Sequence, residues 1–141
     1  MTIDELILRP MTMVDADKML EWKNYEETRR FAITSHDEIK KEDHYQWLAK
    51  NIQHFRVIQI ADGGQLLGAI RVQDLEVSIW VDREFRNLGI AKKTLQLISG
   101  QGMWCKIVEG NLSSMRAFIY AGFAPAEYVQ ASASNYYIFR K

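Results

Sequence analysis

Arg86-Asn87-Leu88-Gly89-Ile90-Ala91 is the stretch of this chain best equipped to hold a charged ligand. It follows an alternation of Leu75, Val77, Ile79 and Val81 with Glu76, Ser78, Trp80 and Asp82, the period-two pattern of a half-buried strand. It leads into a helical pattern in which Ile90, Leu95 and Ile98 share a face. A loop entering a helix leaves backbone N–H groups pointing outward, where the helix dipole favours negative charge. Gly89, and nearly so Ala91, would let a phosphate approach the main chain, while Arg86 and Lys92 or Lys93 add charge. The natural ligand of such a loop is a diphosphate. The competing reading is that Gly89 relaxes a turn and Arg86 is a solvated charge.

The Gly-Lys-Ser/Thr ending of a Walker A loop is missing, as is the G-x-G-x-x-G dinucleotide fingerprint. A second segment carries more information. Trp104 to Glu109 reads as a strand, and the helix after Asn111 contains Ser114 and Phe118 and closes at Gly122-Phe123. Together the two segments resemble the signature of the GNAT superfamily of acyl-CoA-dependent N-acyltransferases. That signature is Arg/Gln-x-x-Gly-x-Gly/Ala after the fourth strand, then Asn-x-x-Ala/Ser with an aromatic seven places after the Asn. The resemblance implies acetyl-CoA as co-substrate, with its pyrophosphate held by Arg86, Asn87, Leu88, Gly89, Ile90 and Ala91. It further implies that the backbone of Ile79, Trp80 and Val81 pairs with the pantetheine arm, and that Asn111, Ser114 and Phe118 belong to the cofactor side.

The same resemblance suggests roles in the chemistry. Glu76 stands where many members place a glutamate that removes the amine proton, often through water; a structural ion pair is the alternative. Phe118 departs from the pattern, because many members have a Tyr there whose hydroxyl protonates the leaving thiolate. Tyr120 does not replace it, since two residues turn a helix by roughly 200°. Ser114, one turn before Phe118 on the same face, is the remaining candidate acid, although a thiol with a pKa of about 8.5 leaves tolerably without one. Phe118→Tyr is expected to leave activity intact or raise it.

For the acceptor, Trp22-Lys23-Asn24 with Tyr25, Arg29 and Phe31 following resembles a GNAT branch that acetylates nucleotide-linked amino sugars, including the pseudaminic-acid pathway N-acetyltransferases. Aromatic faces can stack on a sugar or base, and an arginine can hold a diphosphate. Trp22, Asn24, Tyr25, Arg29, Phe31 and Trp80 are the expected acceptor residues, whereas Trp47 reads first as core. A small-molecule primary amine is therefore the expected partner. Two alternatives stay open. One is a ribosomal-protein-type N-acetyltransferase, which needs an open groove at Tyr25 to Phe31, and the other is a non-catalytic acyl-CoA-binding module.

The elements that must position these residues follow from local pattern. Leu6 to Arg9 is a strand stopped by Pro10, and Thr12 caps a helix that presents Ala16, Met19, Leu20 and Lys23 on one face. A second helix covers about Glu42 to Asn51. Phe55 to Ala61 and Leu66 to Val72 form a hairpin around Asp62-Gly63-Gly64, and the short Gln73-Asp74 link makes three antiparallel strands in a row. Gly100-Gln101-Gly102 breaks the chain before Trp104, and Glu127 to Gln130 and Tyr136 to Arg140 read as the last strands. The fold class is α/β (α+β): a GNAT-like mixed, mostly antiparallel sheet of six or seven strands with helices on both faces, in one domain over residues 1–141.

Composition narrows the partners. Eighteen Lys+Arg balance eighteen Asp+Glu, so the total charge advertises neither nucleic acid nor an anionic membrane. No apolar run approaches the ~18 residues of a membrane span. Asp4 and Glu5 near Met1 argue against a secretory leader, and a lone Cys105 makes no internal disulfide, so a cytoplasmic home is expected, as monomer or homodimer. Cys105 itself reads as a small buried residue rather than a nucleophile. His36, His44 and His54 show no metal-ligand spacing, and no metal is expected.

Overall fold

The computed structural model describes residues 5–61, 64–98 and 100–141; the Asp62-Gly63 part of the expected hairpin turn lies outside them. In chain order the elements are β1 (Leu6–Pro10), α1 (Ala16–Asn24), α2 (Glu26–Arg30), α3 (Lys41–Asn51), β2 (Phe55–Ile60), β3 (Leu66–Gln73) and β4 (Glu76–Val81). They continue with α4 (Ile90–Ile98), β5 (Trp104–Val108), α5 (Leu112–Tyr120), β6 (Ala124–Val129) and β7 (Tyr136–Arg140). The seven strands form one sheet in the order β1-β2-β3-β4-β5-β7-β6. Every neighbouring pair is antiparallel except β4 with β5. None of the described helices is long and apolar enough to cross a membrane.

Alternation along the strands builds a core on each face. On one face Trp80, Ala69, Phe55 and Val57 meet Ala16, Met19 and Trp22 of α1 and Leu48 of α3. On the other, Ile70, Val77, Cys105, Ile107 and Phe139 pack against Leu95 of α4 and Ala117, Phe118 and Ala121 of α5. Each large side chain so buried contributes about 1.5–3 kcal/mol. Glu76 and Ser78 therefore share the α1/α3 face with Trp80, and Ile79 and Val81 point to the other.

At three places the structure departs from the local sequence pattern. Leu75 is not in the strand: Asp74 and Leu75 have φ of 51° and 67° and make the two-residue turn between β3 and β4. The 26–30 segment, read as a helix end, is a short helix of its own, α2. On α1 the buried face is Ala16, Met19 and Trp22, so Leu20 is not part of it. Where α5 stops, Gly122 takes φ +100° and the Phe123 N–H donates to Phe118 O at 2.9 Å, the left-handed cap that glycine permits.

Candidate active site

β4 is held firmly along one edge and barely along the other. Six register pairs join it to β3, from Gly68↔Val81 to Gln73↔Glu76. Toward β5 only Glu76↔Trp104 pairs, with the Trp104 N–H donating to Leu75 O at 3.0 Å. Past that point the parallel strands part, and the edge of β4 from Ser78 to Val81 has no ladder partner on that side. At about 3.3 Å per residue, the strand runs about 17 Å from Glu76 to its end. An extended ligand laid along it would reach from the carboxylate of Glu76 to the 86–89 loop.

Asn87 and Gly89 are left-handed, with φ of 63° and 77°, and the space where a Gly89 Cβ would sit is open. Alternating backbone of this kind turns successive N–H groups toward one concavity, which suits an anion. Leu88 is exposed, whereas Ile90 starts α4 and is buried with Leu67 and Ile58, anchoring the helix behind the loop. Arg86 is not a free charge, because its Nη1 lies 2.9 Å from Glu27 Oε1. Arg83 grips the same carboxylate at 3.0 Å, and its guanidinium lies 4.1 Å from the Tyr25 ring centroid. Arg83 above all, then backbone and Arg86, pulls the Glu27 carboxyl down to about 2.

The far end of β4 is locked. Asp82 is 4% exposed; it accepts from Trp22 Nε1 and from the Glu84 N–H, each at 3.0 Å, and pairs with Lys18 Nζ at 3.3 Å. Burial alone would push its carboxyl up, but these three donors together hold it below the ordinary value. Gly68 fixes the height of the strand: a Cβ there would lie 2.0 Å from Trp80 O. A lone Gly inside an apolar strand is the sequence signal of such a close approach.

Glu76, on the α1/α3 face, has Lys106 Nζ 3.8 Å from its carboxylate, so the ion pair weighed as an alternative role is present. Asn111 caps α5, its Oδ1 accepting from the Ser114 N–H at 3.4 Å; Ser114 is half-buried in that first turn. Phe118 is 3% exposed and meets Phe123 edge-on at 5.0 Å, so packing accounts for its position. Cys105 is buried as expected, and burial pushes its thiol up to about 12. Among the described residues no cluster of His, Cys, Asp or Glu is arranged to hold a metal.

The acceptor residues expected from the sequence are not gathered in one place. Trp22 is 1% exposed in the core and presents no face to a ligand. Asn24 is occupied by the main chain of the 31–40 loop, donating to Ile39 O at 2.9 Å and accepting from its N–H at 2.8 Å. Arg29 donates to Asn24 O and His36 O and straps the same loop, while Phe31 closes α2 half-buried. Tyr25 faces Arg83 and Arg86 beside the 86–89 loop. Trp80 stacks on Phe55 at 5.9 Å. The residue of the Trp22-Lys23-Asn24 triplet that does line a cavity is Lys23.

The family model described as "Acetyltransferase (GNAT) domain" matches residues 5–124. No curated protein sequence matches the chain. Among solved structures, a GNAT-family acetyltransferase from Bacillus anthracis superposes with a TM-score of 0.81 at 14% identity, covering 98% of this chain and 95% of that one. Spermidine N-acetyltransferase from Vibrio cholerae, in complex with CoA and spermine, gives 0.78 at 12% identity, with coverage of 95% and 93%. Ribosomal-protein-alanine N-acetyltransferase from Brucella melitensis gives 0.73 at 20%, with 96% and 98%. At such identities the structures speak for the fold, and the family model, spanning both the 86–91 segment and α5, speaks for descent: the chain belongs to the GNAT acetyltransferase family.

Proposed function

We propose that this chain transfers the acetyl group of acetyl-CoA to the primary amine of a small molecule, a nucleotide-linked amino sugar, by direct attack on the thioester. The observation that carries the reading is the interrupted ladder of β4, paired with β5 at Glu76 alone and open from there to the left-handed loop at Asn87 and Gly89. The open edge suits the pantetheine arm and the loop suits the pyrophosphate, which sets the acetyl end near Glu76. The amine nitrogen bonds to the acetyl carbon, the carbon–sulfur bond breaks, and the thiolate leaves with its pair of electrons. Glu76, directly or through water, takes the amine proton, and Lys106 holds its carboxylate in place. Ser114, in the first turn of α5, is the candidate donor to the thiolate, and a thiol of pKa about 8.5 needs little help.

A small acceptor is favoured over a protein amino terminus by one contact. His36 Nε2 and Ser134 Oγ lie 2.9 Å apart, which ties the 31–40 loop to the loop between β6 and β7. The lone cysteine and the absence of any expected disulfide suit a cytoplasmic enzyme.

The test is calorimetry with acetyl-CoA followed by thiol release across a panel of amines. Acetyl-CoA should bind, and an amino-sugar nucleotide should be turned over better than spermine or an alanine-terminated peptide. Glu76→Gln should cut kcat by about 10²–10⁴-fold with acetyl-CoA affinity unchanged. Acetyl-CoA giving no heat would falsify the enzyme reading, and binding without turnover of any amine would leave an acyl-CoA-binding module.

A further inference from the structure

Two cations stand side by side on the α1/α3 face with no carboxylate to answer them. Among the described residues neither Lys23 nor Arg71 makes an ion pair. Lys23 Nζ lies 3.8 Å from the centroid of the Trp47 ring, and the Phe55 and Trp80 rings stand at 5.8 and 5.9 Å. Arg71 Cζ lies 6.0 Å from the same Trp47 ring, so the indole serves both cations. Arg71 donates through one terminal nitrogen to Gln73, while its Nε is buried without a partner. Burial, and then the neighbouring Arg71, lower the Lys23 amine to about 8. Partly buried like charges are costly unless an anion completes them.

The surroundings point to a ligand. Lys23 and Trp47 line a cavity of about 260 Å³ with Ile39, Asp43 and His44. His44 is 2% exposed; its Nε2 donates to Ala16 O at 3.0 Å, which leaves Nδ1 as a buried acceptor with no partner, suited to a hydroxyl of the acceptor and not to its oxyanion. Asp43 is exposed and makes no ion pair with Lys23. Arg71 pairs with Ser78 in the β3–β4 register and Gln73 pairs with Glu76, so Arg71 and Glu76 are diagonal neighbours with Cα atoms roughly 7–8 Å apart.

We propose that Lys23 and Arg71, which approach the same Trp47 ring, form a subsite for an oxyanion of the acceptor, a carboxylate or a phosphate, whose amine is thereby presented to Glu76. The inference rests on the acetyl-transfer reading for its purpose but not for its existence. An acceptor with no anionic group leaves the two charges unanswered. A polyamine adds positive charge to a site that already repels it.

The subsite is tested first without turnover. In protein labelled with ¹³C-lysine, the Lys23 resonance, assigned with Lys23→Arg, is titrated against pH with inorganic phosphate, acetate or chloride at equal ionic strength. Phosphate or acetate should raise the Lys23 midpoint and leave the other lysines still, and Arg71→Gln should abolish that response. A response to phosphate alone assigns a phosphoryl group, and to acetate alone a carboxylate. A Lys23 resonance that ignores both, or follows chloride equally, overturns the subsite. Turnover is then compared for glucosamine 6-phosphate and glucosamine. Lys23→Gln and Arg71→Gln should each raise KM for the phosphorylated amine about tenfold or more, leaving the neutral amine and acetyl-CoA unaffected, with Lys23→Arg restoring most of the loss. Equal effects on both amines overturn the assignment. Acetyl-CoA binding without turnover of any amine defeats the transfer reading while the lysine titration still decides the subsite.

Discussion

The two edges of β4 have opposite tasks. Along β3 every residue from Glu76 to Val81 is paired, and Gly68 lets the strands approach so closely that no β-carbon fits. Along β5 the pairing ends after one residue pair. An unpaired strand edge normally twists, frays or recruits another chain. Here the edge lies inside the sheet, its position dictated by β3 and by the Asp82 lock to Trp22, Lys18 and Glu84 at its far end. Rigidity on one side holds the strand in place while the other edge stays unpaired.

Four changes probe that division. Gly68→Ala strikes the rigid edge directly: a Cβ 2.0 Å from Trp80 O forces main chain to move. A loss of about 3 kcal/mol in urea unfolding is expected, with acetyl-CoA binding lost alongside; a stable, binding-competent variant would break the comparison. Asp82→Asn keeps an acceptor for Trp22 and loses the charge pairing with Lys18, for a loss of about 1.5–2 kcal/mol. Because the folded Asp82 carboxyl sits below its ordinary value, its stabilisation is full above the unfolded pKa of about 3.9 and fades as pH falls through the folded one. The wild-type acid-unfolding curve should therefore be steeper than that of Asp82→Asn. Gly89→Ala acts on the open side alone: its Cβ enters empty space, but φ +77° costs about 1–2 kcal/mol. The sheet should survive by circular dichroism while acetyl-CoA affinity falls about tenfold. Phe118→Tyr should do least, with turnover equal or higher and a stability cost of about 1 kcal/mol for the buried hydroxyl. A large loss of turnover would show that the ring at this position only packs.

What could be read from the sequence was local. Strand alternation from Val77 to Val81, the loop before Ile90, the helix after Asn111 and the Gly122 stop depend on neighbours within one turn or one pleat, and each stands in the fold. The sheet of six or seven mostly antiparallel strands followed from short links and from the family resemblance, and seven are present.

The acceptor side was read less well, because side-chain partners distant in sequence decide it. Trp22-Lys23-Asn24 is a single turn of α1, yet its three residues face the core, the cavity and the 31–40 loop, and only packing assigns which does which. Nothing near Arg71 in the chain reveals that it lacks an acid; that depends on Lys23, 48 positions earlier, sharing the Trp47 ring with it. Covalent neighbours fix backbone conformation, so motifs made of turns and caps can be read directly. Charge balance and burial are sums over the whole fold, and only the folded chain carries them out.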